Sequence, residues 1–95
     1  MAITAVNTTN PIKVTGTTST TDEVWAKGPP VFVKHIYWYN PSTAGHLLSL
    51  TDSNGNVIIK CIAEAANDSQ QWAIYGSYNG IICNDMDSGE LYIYI

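Results

Sequence analysis

One run of nine residues constrains this chain more than any other feature: Val31-Phe32-Val33-Lys34-His35-Ile36-Tyr37-Trp38-Tyr39. β-Branched and aromatic side chains fill most of it. They suit a pleated, half-buried surface and lose rotamer freedom in a helix. Their spacing does not follow a helical period. Both ends are marked. Gly28-Pro29-Pro30 removes two backbone donors before the run, and Asn40-Pro41-Ser42-Thr43-Ala44-Gly45 forms a loop after it. This is the strongest strand in the chain.

Shorter strands fall on either side. Ile12 to Gly16 alternates, and Glu23 to Ala26 is a short possible strand. His46 to Thr51 places Leu48 and Leu50 on one face. Asp52-Ser53-Asn54-Gly55-Asn56 then supplies the residues of a tight hairpin, because Asn-Gly readily adopts positive φ. Val57 to Ala63 returns as the partner, with Val57, Ile59 and Cys61 sharing a face. Ala63 to Ser69 reads as a connection. Gln71 to Tyr75 forms a strand around Trp72, Gly76 to Gly80 turns, and Ile81 to Cys83 follows. The closing strand, Glu90 to Ile95, sets Leu91, Ile93 and Ile95 against Tyr92 and Tyr94. Six to eight short strands at spacings near ten residues predict an all-β fold, an antiparallel β-sandwich or a small barrel. Residues 12–95 form its single domain. Residues 1–11 lack an amphipathic period and read as an extended N-terminal arm or an edge strand. Thr17 to Asp22 is a polar, Thr-rich run suited to extended structure, and it is expected to reach a neighbouring subunit by adding a strand.

Composition narrows the function. At 95 residues the chain sustains one core. Four Lys, no Arg and a net charge of −4 oppose the sign that nucleic-acid binding requires. Only 13% of residues are charged against 45% hydrophobic, which suits a subunit that covers much of its surface in an assembly. The start Met1-Ala2-Ile3-Thr4 has no leader-like pattern, and no run approaches the roughly 20 apolar residues of a membrane span, so synthesis in the cytoplasm is expected. Cys61 and Cys83 lie in separate strands without CxxC spacing and read as free thiols packed as small hydrophobes.

No constellation carries chemistry. Asp52, Asn54 and Asn56 resemble the start of a calcium loop, but the sixth and twelfth positions are Val57 and Ala63, where Gly and Glu are required. Asp85, Asp87 and Glu90 read as a solvated acidic turn. His35 and His46 have no partner ligands at metal spacing and no nucleophile in recognisable context. The sequence therefore indicates no enzyme, no metal and no cofactor. It does have many aromatic residues: three Trp, six Tyr and one Phe, too many for one small core. In Tyr37-Trp38-Tyr39 neighbours point to opposite faces, so Trp38 is read as core and the two tyrosines as a second layer. Trp25, Tyr37, Tyr39, Tyr92 and Tyr94 are the candidates for a subunit or partner interface, with simple packing or a sugar-stacking platform as other uses.

The stretches Val31 to Gly45, Leu48 to Ile58 and Asp87 to Tyr94 together resemble small structural proteins of tailed bacteriophages, in particular the cement or decoration proteins on the outside of capsids. The similarity spans roughly residues 12–95 as a pattern of strands and turns. It implies a virion protein on the capsid surface, a homotrimer that clamps neighbouring major capsid protein subunits, with no catalytic residues. A carbohydrate-binding or tail- and fibre-associated module using exposed Tyr and Trp is the alternative.

Overall fold

Side-chain alternation and backbone pairing coincide along most of the chain. The computed structural model describes residues 3–6, 8–19 and 21–95. Nine strands follow in order: β1 (Thr4–Val6), β2 (Ile12–Thr15), β3 (Asp22–Trp25), β4 (Val31–Tyr39), β5 (Leu47–Thr51), β6 (Val57–Ile62), β7 (Gln70–Tyr78), β8 (Ile81–Met86) and β9 (Glu90–Tyr94). They build two antiparallel sheets, β1-β2-β9-β4-β7 and β3-β8-β5-β6. Ile12, Ile36, Trp38, Leu91 and Ile93 from the first sheet meet Val24, Leu48, Leu50, Ile81 and Met86 from the second in one buried cluster. The expected all-β architecture is therefore a two-layer sandwich.

The long run is β4, and it lies between β9 and β7. Trp38 is fully buried, and its indole Nε1 donates to the Ser88 carbonyl at 2.9 Å, which closes the β8–β9 turn over the core. In the β5–β6 hairpin, Asp52 Oδ1 accepts from the backbone N–H groups of Asn54 and Asn56, both at 2.9 Å. Its Oδ2 accepts from Asn56 Nδ2 at 3.0 Å, so both oxygens serve the turn. These bonds, the Asn56 side chain first, hold the Asp52 carboxyl below its ordinary value.

Several boundaries differ from expectation. Among the described residues nine strands are present where six to eight are predicted, because Thr4–Val6 pairs with β2 as an edge strand. Of the segment 1–11, Met1, Ala2 and Asn7 lie outside the described residues. No free arm is seen among the others. Asn10 instead mimics a strand residue, donating Nδ2 to the Ile95 carbonyl at 2.7 Å and accepting from Ile95 N at 3.0 Å. Within the Thr-rich run, Thr18 is buried and exchanges two backbone bonds with Met86 of its own chain. Thr20 lies outside the described residues. Strand β7 runs on through Gly76 to Tyr78, where a turn is predicted. Gly76 sits opposite Val33, and a Cβ there would lie 2.9 Å from Tyr78 Oη, so this glycine permits a close approach inside a strand. Val57 leaves the face of Ile59 and Cys61 because the β5–β6 register shifts between Leu50 and Thr51, and it is exposed. Cys61 and Cys83 are both free thiols.

Candidate functional site

The outer face of the five-stranded sheet is built chiefly by β9 and the second half of β4, which alternate regularly from Ile36 to Tyr39 and from Glu90 to Tyr94. Ile36 and Trp38 turn inward from β4, which sends Tyr37 and Tyr39 outward; Leu91 and Ile93 do the same for Tyr92 and Tyr94 on β9. Antiparallel pairing places Tyr37 directly opposite Tyr92, and His35 opposite Tyr94. The rings meet as this register requires. Tyr37 and Tyr92 stack at 6.2 Å between centroids, Tyr37 and Tyr39 lie 5.9 Å apart, and His35 meets the Tyr94 ring edge-on at 5.9 Å. The four tyrosines line a shallow trough of about 240 Å³. At its margin, Lys13 Nζ stands 5.9 Å from the Tyr92 ring centroid. Tyr92 Oη donates to Glu90 Oε1 at 2.7 Å, and this bond holds the phenol above its ordinary pKa.

Four of the five interface candidates thus converge. Trp25 does not join them: it belongs to β3, at an edge of the other sheet, and packs half-buried against the core.

Sequence reading missed the other half of this face. The β4–β7 register slips between Val33 and His35, so Val33 faces Gly76 while His35 faces Ala73. Lys34 and His35, adjacent in sequence, both reach the outer surface as a result. With Tyr37, Gln71, Tyr75 and Tyr94 they line a second, larger depression of about 610 Å³. His35 Nε2 and Gln71 Oε1 are 2.8 Å apart. Tyr75 is 69% exposed, has φ of 50° and approaches Phe32 at 6.5 Å. Adjacent positions normally take opposite faces, so no local pattern announced the pairing of Lys34 with His35. Tyr75 was legible only as a strand aromatic.

The remaining polar groups serve the scaffold. Asp87 Oδ2 accepts from Leu47 N at 2.9 Å, and His46 Nδ1 lies 2.7 Å from Ser88 Oγ. Burial, and then the neighbouring Asp87, pushes Asp85 up to about 6. Among the described residues no three His, Cys, Asp or Glu side chains gather as a metal site. What the outer face offers is contact area: amphipathic rings with polar tips on a rigid sheet. In comparisons with known proteins the chain matches no family model, no curated protein and no solved structure.

Proposed function

We propose that this chain is a binding and assembly protein that docks on protein partners through the outer face of its five-stranded sheet. The observation that carries the reading is the tyrosine quartet, Tyr37, Tyr39, Tyr92 and Tyr94, gathered on one sheet face around a common trough. Tyrosine is enriched at interfaces because it brings large area and few rotatable bonds, and contiguous apolar patches on single subunits commonly mark docking sites. Phe32, 47% exposed, extends the patch along β4. In its finer form the proposal is a capsid cement protein, a homotrimer on the virion surface that stabilises contacts between major capsid protein subunits. That form is supported by the sequence resemblance across residues 12–95.

Two measurements test it. Light scattering after size separation should give about three times the 10.4 kDa chain mass. A Tyr39→Ser/Tyr92→Ser variant should keep its thermal midpoint and lose both self-association and attachment to undecorated phage capsids. If the variant attaches and associates like the parent, this face is not the docking surface.

A further inference from the structure

We infer that the depression between β4 and β7 is a binding site for an acidic saccharide, a sugar ring that carries a carboxylate. This goes beyond the docking proposal and uses the other half of the same sheet face. Two features of a single β-bulge, in which Ile74 and Tyr75 of β7 stand opposite Lys34 of β4, set the site apart. The first is the register slip, which brings Lys34 and His35 together on the outer surface, as irregularities in strand pairing do where a side chain must be re-aimed. The second is Tyr75. A bulky residue at φ 50° is held against its own preference, and its ring is the most exposed of the large hydrophobic side chains among the described residues. Strain of this kind collects where a side chain is held for use.

The chemistry of the walls identifies the ligand class. From His35 to Tyr37 the backbone of β4 pairs with both β7 and β9, and only Lys34 falls within the slip, so most of the recognition falls to side chains. Tyr37, Tyr75 and Tyr94 line the depression with amphipathic rings, and His35 and Gln71, a bonded polar pair, share its wall. A sugar ring is built the same way, with an apolar C–H face inside a rim of hydroxyl groups, and stacking on amphipathic rings satisfies both parts. Lys34 adds the charge. Among the described residues its side chain has no ion pair or hydrogen bond, which leaves its ammonium available to a carboxylate.

The test is an amide chemical-shift titration of the full chain with three probes: a galacturonic acid trisaccharide, the neutral galactose trisaccharide and acetate. The acidic trisaccharide should shift the amides of Lys34 to Tyr37 and Gln71 to Tyr75, with a dissociation constant of about 1 mM or tighter. The neutral sugar should bind about fivefold more weakly, close to the effect of one solvent-exposed ion pair at its stronger end. Lys34→Ala should bring the acidic sugar down to the neutral one. Tyr75→Gly, which suits the positive φ, should remain folded and bind neither. The proposal fails if about 10 mM of the acidic trisaccharide leaves these amides unmoved, if acetate reproduces its shifts at equal concentration, or if Tyr75→Gly binds like the parent. A tetraglutamate peptide that binds more tightly than the sugar would also overturn it. Tyr39→Ser/Tyr92→Ser lies outside the depression and should leave sugar binding intact, so loss of docking and loss of sugar binding are separable.

Discussion

Among the described residues three other than glycine hold a positive φ: Asn40, Asn67 and Tyr75. Asparagine tolerates this region because its short side chain bonds locally, whereas a tyrosine loses roughly 1–2 kcal/mol there. Tyr75→Ile adds branching at Cβ and should lower stability by about a further 1 kcal/mol. Tyr75→Gly should match or exceed the parent, since relief of the strain offsets the entropy of a new glycine. Thermal unfolding of the pair checks this, and a Tyr75→Gly midpoint below that of Tyr75→Ile would refute it. Asp85 is a second residue under tension, with one carboxylate oxygen buried and unpartnered. Burial first, and Asp87 next, raise it to about 6. Its favourable form is therefore the protonated one, complete below the ordinary carboxylate value near pH 4 and lost as pH rises through about 6. Asp87 is held low, chiefly by its bond to Asp85, and acts in the opposite sense: its contribution is present above about pH 4 and disappears in acid. Asp85→Asn abolishes the loss on the alkaline side. Relative to the parent it should gain about 1 kcal/mol between pH 5 and 7.5 in urea unfolding. Parallel pH profiles for the two proteins would contradict the assignment.

Elements differ in how plainly their sequences announce them. Strand β9 and the Tyr37-Trp38-Tyr39 end of β4 alternate, one face buried and the other aromatic, so those residues could be assigned to faces before any fold was known. Strand β7 could not be delimited in this way. Gly76 reads as a turn residue, and only its position opposite Val33, with the Tyr78 side chain beside it, explains a glycine inside a strand. Strand β1 is three residues long and gains its structure from β2, not from its own pattern. The β8–β9 turn shows the same dependence at Gly89, with φ of 82° and a Cβ position 2.7 Å from the Tyr39 carbonyl and 2.9 Å from Trp38 Nε1. Gly45 has a similar φ of 89° and open space around it. Both glycines should resist substitution, but unequally. Gly45→Ala should cost about 1 kcal/mol from backbone conformation alone, and Gly89→Ala about 2–4 kcal/mol because it also displaces the turn from Trp38. Urea midpoints of the two variants measure the difference, and equal losses would mean that the turn moves freely.

At the scale of the whole molecule, the two sheets enclose a core to which each contributes, and Cys83 lies within it fully buried. Burial pushes its thiol up to about 12, and that of Cys61, on the edge strand β6, to about 11. Neither thiol is then appreciably ionised at neutral pH, and Cys83 is reached only when the sandwich opens. Labelling of Cys83 by a maleimide should therefore follow the global unfolding rate, with Cys61 reacting faster. Complete modification of Cys83 within minutes in protein that keeps its native spectrum would show that the sheets separate locally. The sequence by itself determined most of the strands, the inward and outward residues of β9 and of the Tyr37-Trp38-Tyr39 end of β4, the hairpin at Asp52 and the surplus of aromatic side chains. All of these follow from local periodicity and turn chemistry, which neighbouring residues settle among themselves. Only the tertiary structure decided that β9 pairs with β4 and so joins the four tyrosines, that Trp25 stands apart from them, and that a register slip sets Lys34 and His35 beside Tyr75. Those outcomes depend on which distant strands become neighbours and in what register, and the alternation within a single strand is the same whichever partner it meets.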